Sequence, residues 1–179
     1  MSRPRTNKKR FKYEKGIAIY PTTSDDVALA HTRSCQLGIP RGSYMYGMGR
    51  MTGFLGEIAV NAYLPRSHYV GDEEFTHDII YKKKRVEVKS KTCGGCPEPE
   101  YSAFVNGKQL MKPDNDAYFF TRVRRDMQRV YICGWLPTRT LFKKAQFVPK
   151  GFTDDKGYTF KASGYHIEIS ELNPPKAFK

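Results

Sequence analysis

A predicted β-hairpin at residues 77–91 is the feature that most restricts how this chain can fold. The sequence there, HDIIYKKKRVEVKSK, places alternating apolar and polar residues on both sides of a short lysine run. Alternation with a period of two indicates β-strands, and the lysine run is short enough to turn one strand back on the other. We therefore expect an antiparallel pair of strands at this point.

The flanking segments predict helices and further strands. Ser24 suits the N-cap of a first helix through VALAHTRSCQL, and a second helix is predicted over MTGFLGEIAVNAYL until Pro65. The segments DAYFFTRVRR and RVYICGWLP have mixed apolar runs that are typical of interior strands. This order of elements predicts an α/β fold, with a mixed central β-sheet flanked by helices.

Two glycines interrupt the second predicted helix. Gly53 and Gly56 lower its helix propensity, although apolar residues recur around them at helical spacing. We therefore expect these glycines to permit close packing against a neighbouring element.

The chain carries a large excess of positive charge. Its 31 Lys and Arg residues against 18 Asp and Glu residues give a net charge of +13. Such an excess costs self-repulsion and is typical of proteins that bind polyanions. Residues 1–15 are predicted to form a flexible basic arm, and residues 16–179, predicted to be a single domain, are basic as well. We expect DNA as the partner, with RNA as an open alternative.

The second strand of the hairpin places charged side chains on one face. In RVEVKSK, Val86 and Val88 point to one side, while Glu87 and Lys89 point to the other. Asp78, on the partner strand, is within reach if the hairpin closes near the lysines. These three residues are consistent either with a salt-bridge cluster or with a site for Mg²⁺, which prefers carboxylate oxygens and phosphates.

With the helical Glu57 in GFLGEIA, the pattern Asp78…Glu87-Val-Lys89 resembles the PD-(D/E)xK, or restriction-endonuclease-like, nuclease superfamily. The resemblance implies a restriction-endonuclease-like core in which Asp78, Glu87 and Glu57 bind Mg²⁺, or Mn²⁺ in its place. It implies that Lys89 assists the attacking water. The compact size is similar to that of DNA endonucleases from phages and mobile elements, and the family makes a homodimer possible. A basic protein that binds nucleic acid without cleaving it is the alternative.

Further basic residues suit contacts with the phosphate backbone of DNA. The predicted DNA-binding set is Lys91, Arg122, Arg124, Lys143 and Lys144. Alternation in TRVRR points Arg122 and Arg124 to the same side of their strand. A solvated charged surface is the alternative interpretation.

The cysteines allow one further metal site. Cys93 and Cys96 form a CxxC pair, and His31 and Cys35 share one face of the first predicted helix, so together they would supply four ligands for structural Zn²⁺. The alternative is a glycine turn with reduced thiols. The chain has no apolar run long enough to span a bilayer, and its basic N-terminus lacks the apolar region of a signal peptide. We therefore expect a cytoplasmic protein.

Overall fold

The computed structural model describes residues 11–36, 48–71, 77–107, 114–155 and 157–179. Ten strands form within these ranges. They are β1 (Lys12–Glu14), β2 (Ile17–Pro21), β3 (His68–Tyr69), β4 (Ile79–Tyr81), β5 (Lys84–Cys93), β6 (Ser102–Asn106), β7 (Ala117–Arg124), β8 (Arg129–Pro137), β9 (Gln146–Val148) and β10 (Gly164–Glu168). The α-helices are α1 (Ser24–Gln36), α2 (Met48–Tyr63) and α3 (Thr138–Lys144). Within the described ranges, no helix is both long and apolar enough to cross a membrane.

The central element is a seven-stranded mixed sheet with the strand order β1-β2-β8-β7-β5-β4-β3. Neighbouring strands are antiparallel except β5 and β7, which run parallel. The predicted hairpin is confirmed as β4 and β5, where Ile79 pairs with Val86 and Tyr81 with Lys84. Lys82 and Lys83 both adopt positive φ, which is the conformation of the tight turns that match strand twist. The expectation of a mixed α/β fold is therefore confirmed.

Two hydrophobic cores lie on opposite faces of this sheet. On one face, α2 contributes Leu55 and Val60, which cluster with sheet residues that include Val86 and Phe119. On the other face, Phe120 clusters with residues of α3 and of a second sheet, whose strand order is β6-β10-β9. The described chain is thus layered, with helices, the central sheet and the small sheet in succession.

Regular structure begins earlier along the chain than expected. Residues 1–15 were expected to form a flexible arm, but Lys12–Glu14 pairs antiparallel with β2 as the edge strand β1. Residues 1–10 lie outside the described part of the chain.

The helix α2 packs closely against the sheet at Gly56. A Cβ atom at Gly56 would overlap the Ser90 hydroxyl and lie 2.5 Å from Oγ1 of Thr121. Those two hydroxyls, on the adjacent strands β5 and β7, are hydrogen-bonded to each other at 2.7 Å. At Gly53 the nearest atom to a Cβ would be Oε1 of Glu57 at 3.9 Å, which is ordinary contact. Close packing is therefore confirmed for Gly56 and not for Gly53.

Replacing Gly56 by Ala should destabilise the protein, whereas replacing Gly53 by Ala should stabilise it. Overpacking at Gly56 should lower the free energy of unfolding by roughly 1–3 kcal/mol. The change at Gly53 should raise it by about 0.5–1 kcal/mol, because alanine has the higher helix propensity and meets no obstacle. Urea unfolding of both variants measures this difference. Equal effects of the two substitutions would show that close packing does not set the requirement for glycine.

Candidate functional site

The candidate site lies just before the start of β4, where β5 continues beyond its pairing with that strand. The backbone N–H of Asp78, just before β4, donates to the Val86 carbonyl at 3.0 Å, and its carbonyl accepts from Val70 N–H at 2.9 Å. The Asp78 side chain continues the hydrogen bonding along β5 where the backbone of β4 no longer pairs with it. Its Oδ2 accepts a hydrogen bond from Val88 N–H at 2.7 Å. Backbone and side-chain contacts together therefore fix this carboxylate against the exposed edge of β5.

The alternation of side chains along β5 is as predicted. Val86 and Val88 are buried in the core against α2, and Glu87 and Lys89 lie on the opposite face. Their side chains are only 17% exposed, and the Lys89 ammonium donates to Oε1 of Glu87. The pair is thus shielded from water, where an ion pair is screened less than at the surface.

The helix α2 lies on the other face of the sheet from Glu87 and Lys89, and it brings Glu57 toward the edge of β5 that Asp78 occupies. Its Oε2 accepts a hydrogen bond from the Tyr69 hydroxyl at 2.9 Å. The guanidinium carbon of Arg33, on α1, lies 3.9 Å from the centre of the Tyr69 ring. Sequence analysis missed Tyr69 and Arg33, because their contact with the site depends on how α1, α2 and β3 pack together and no local pattern signals it.

The charges of the four predicted residues act on one another. The pKa of Glu57 is raised to about 7, mainly through burial; the Tyr69 hydrogen bond opposes this shift and the charge of Glu87 adds to it. The pKa of Asp78 is also well above its usual range, first through burial and then through the charges of Glu57 and Glu87. Lys89 lowers both pKa values. Glu57 from the α2 face and Glu87 and Lys89 from the opposite face therefore interact electrostatically with Asp78 at the edge of β5. These four residues are called the carboxylate cluster below.

This cluster has the donor chemistry that Mg²⁺ requires. Each carboxylate uses one oxygen for a protein donor, namely Tyr69 for Glu57, Val88 N–H for Asp78 and Lys89 for Glu87. In the described ranges, no three His, Cys, Asp or Glu side chains are arranged around a common metal position. Mg²⁺ binds through one or two carboxylates together with water and phosphate, so a complete protein cage is not required. A cation here would also relieve the mutual repulsion that raises the pKa values.

The predicted DNA-binding residues lie in different surroundings. Lys91 and Arg122 are neighbours across β5 and β7, and both are partly buried. Arg124 shares the face of Arg122, but its guanidinium binds Asp126 through two hydrogen bonds and Gln128 through another, at 3.2 Å. Lys143 and Lys144 are exposed in the last turn of α3. The structure therefore brings Lys91 and Arg122 together and leaves Arg124 neutralised at the β7–β8 turn.

The four residues of the predicted zinc site occupy two separate places. His31 and Cys35 are in contact on an exposed part of α1, with Sγ 3.8 Å from Nε2. Cys93 is buried in the core on the opposite face of the sheet, and Cys96 packs against that core. The structure thus does not bring the two pairs together.

No family model matches this chain, and a comparison with curated protein sequences finds no significant match. The interpretation of the site therefore depends on its geometry and on the motif that predicted it.

Replacing Glu57 by Gln should stabilise the metal-free protein at high pH. Glu57 has an ordinary pKa of 4.5 and a folded pKa of about 7, so the folded state binds the proton more tightly than the unfolded state does. The contribution of the Glu57 proton to the free energy of unfolding is fully present below pH 4.5 and is lost as the pH rises through about 7. Glutamine still accepts the hydrogen bond from Tyr69 and carries no charge. The substitution should therefore raise the free energy of unfolding by as much as about 3 kcal/mol above pH 8.

Urea unfolding between pH 5 and 8.5, with a chelator present, measures this gain. The exposed Glu14 provides the control, because Glu14→Gln should show no comparable rise with pH. A gain for Glu57→Gln that is the same at every pH would contradict the assigned cause.

Proposed function

We propose that this protein is a Mg²⁺-dependent DNA endonuclease with a PD-(D/E)xK active site and a restriction-endonuclease-like core. The observation that carries the proposal is the convergence of Glu57, Asp78, Glu87 and Lys89 at the edge of β5. The approach of an acidic helix to the motif hairpin supports the proposal. The mixed sheet with α2 packed on the motif strand is compatible with such a core.

The proposed roles follow from the contacts of each side chain. Asp78 and Glu87 hold Mg²⁺, and Glu57 supplies a third carboxylate that binds the ion or its water. When bound, the ion supplies Lewis-acid polarisation of the scissile phosphate and lowers the pKa of a bound water. Lys89 already lies against Glu87, so its ammonium is positioned to orient the water or to neutralise charge that develops on the phosphate.

The charge of the chain supports DNA as the substrate. A net charge of +13 favours a polyanion, and half-buried cations lie on β5 and β7 next to the carboxylate cluster. Carboxylates repel DNA, so their concentration within a strongly basic protein is best explained if they would hold a metal ion that offsets their charge. Phage or mobile-element origin, a homodimer and a cytoplasmic location remain expectations from the sequence.

One observation favours the alternative of a non-catalytic DNA-binding protein. Asp78 satisfies the backbone of Val88, and Glu87 pairs with Lys89, so each has a structural partner. A purely structural cluster would nevertheless be expected to neutralise itself. Three carboxylates share one lysine here, so the cluster carries excess negative charge whenever all three are ionised, which burial disfavours.

Replacing Lys89 by Ala should abolish cleavage of plasmid DNA while leaving DNA binding largely intact. Loss of an ammonium that stabilises the transition state should slow cleavage by about a hundredfold or more. The assay compares plasmid cleavage in Mg²⁺, Mn²⁺ and chelator, with binding measured in chelator. Lys12→Ala, on the far edge strand β1, is the matched control and should cut at the rate of the unaltered protein. Equal cleavage by Lys89→Ala and the unaltered protein would remove the enzymatic interpretation.

Mg²⁺ should stabilise the folded protein in the absence of DNA, and Asp78→Asn should remove this effect. An ion that binds only the folded state adds about 2.7 kcal/mol when its concentration is roughly 100 times its Kd. Asparagine still accepts from Val88 N–H, so the hairpin is preserved while a charged ligand is lost. Thermal unfolding with and without Mg²⁺ measures the increment, and Asp25→Asn, on the exposed first turn of α1, is the control. The same Mg²⁺ increment in Asp78→Asn would contradict the proposed metal ligand.

A further inference from the structure

A cleft of about 840 Å³ opens beside the candidate active site. It is lined by the first turns of α2, the C-terminal half of β5, residues 100–102 at the start of β6, Arg122 of β7 and segments between residues 146 and 168. A smaller cavity of about 220 Å³ includes Lys89 and shares Ser90, Lys91 and Arg122 with the cleft. The cleft is therefore continuous with the face of β5 that carries Glu87 and Lys89. Its volume lies within the range of about 300–1,000 Å³ that is typical of ligand pockets.

Two cations at the base of this cleft form no ion pair with any acidic residue in the described part of the chain. Lys91 lies two residues beyond Lys89 on the same face of β5, about 6.6–6.8 Å further along the strand. It neighbours Arg122 on β7, whose guanidinium donates to the Ser102 carbonyl at 2.5 Å. Among the described residues, no carboxylate forms an ion pair with either cation. Burial and the charge of Arg122 lower the pKa of Lys91 to about 8, which fits a pair that lacks an anion.

Aromatic side chains line the same cleft and remain open to solvent. Tyr101, Phe152 and Tyr158 are each between 43% and 47% exposed, which is high for large apolar side chains. The Arg122 guanidinium lies 5.8 Å from the Tyr101 ring centre, and the Lys91 ammonium lies 5.6 Å from that of Tyr158. Cations next to exposed aromatic rings are the combination that binds single-stranded nucleic acid, with phosphates on the cations and bases on the rings.

The acidic groups that line the cleft argue against binding along the phosphate backbone of a duplex. Four carboxylates, of Glu100, Asp154, Asp155 and Glu168, also line the cleft. His166 shares a 2.6 Å hydrogen bond with the Ser102 hydroxyl. Carboxylates repel a row of phosphates, but they accept hydrogen bonds from the amino groups of bases. The cleft is therefore suited to one phosphate at its base and to an exposed nucleobase above it.

We propose that this cleft binds an unpaired nucleotide of the DNA strand that is cut. The phosphate of this nucleotide lies on Lys91 and Arg122, and its base stacks on Tyr101 or Tyr158. The neighbouring phosphate lies beside Lys89 and is the one that is cleaved; this assignment rests on the proposed function. A base in a duplex has both faces stacked and its edge paired, so only an unpaired base offers the surfaces that this cleft recognises. The substrate class is therefore DNA with a single-stranded segment at the cleavage position.

Binding without catalysis tests this proposal. Fluorescence anisotropy in chelator compares a labelled single-stranded oligonucleotide with a blunt duplex of the same length. The unaltered protein should bind the single strand more tightly than the duplex. Tyr158→Leu should weaken single-strand binding about tenfold, in line with the loss of one base stack, and Lys91→Gln should weaken it by a similar factor. Both should change duplex binding by less than twofold.

The controls match each substitution in chemistry and differ in position. Lys12→Gln and Tyr13→Leu alter an exposed lysine and an exposed tyrosine on β1, at the far edge of the sheet, and should leave single-strand binding unchanged. Equal affinity for single strand and duplex would overturn the proposal, as would equal effects of the cleft variants and their controls. The metal-dependent cleavage assay is independent of this measurement. Loss of the single-strand preference with cleavage intact would refute the cleft proposal alone, and single-strand binding without any cleavage would refute the nuclease proposal.

Discussion

The alternation of side chains along β5 is the constraint on which the rest of the site depends. Val86, Val88 and Ser90 face α2, where the contact at Gly56 fixes the distance between helix and sheet. Because successive residues of a strand point to opposite faces, this packing also fixes Glu87 and Lys89 on the other side. A slip of one residue would place charged side chains in the core and valines at the site, so core packing and site geometry are specified by the same register.

The site accumulates negative charge at a cost in folding stability. Burial and mutual repulsion raise the pKa of both Glu57 and Asp78. The only ammonium among the four predicted residues, that of Lys89, is paired with Glu87. The contacts that oppose this cost are local. The backbone N–H of Val88 holds Asp78, and the hydroxyl of Tyr69 holds Glu57. Such an arrangement is typical of a site where ligand binding releases electrostatic strain, since perturbed pKa values cluster at functional sites.

The sequence was informative wherever the signal was local. The period of two in residues 77–91 predicted the hairpin and the separation of Glu87 from Val88, and the helical pattern of residues 51–64 placed Glu57 on α2. Features that depend on long-range packing were not predictable in this way. Spacing suggested one zinc site, but the central sheet separates Cys93 from α1, and Asp126 neutralises Arg124 across the β7–β8 turn. Tyr69 packs against the core beneath α2, and its hydroxyl reaches Glu57 through this long-range packing.

The charge that surrounds β5 changes from negative at Lys89 to positive at Lys91. This change makes the two positions different for a bound DNA strand. Lys89 lies among Glu57, Asp78 and Glu87, so a phosphate approaching that position meets net negative charge unless a cation intervenes. No carboxylate among the described residues pairs with Lys91 or with its neighbour Arg122, so these two cations can accept a phosphate directly. Adjacent phosphates of one strand are therefore not equivalent on this surface. In the proposed enzyme, the phosphate that requires the metal ion is the one beside Lys89, and its neighbour on Lys91 fixes the register in which the strand is cut.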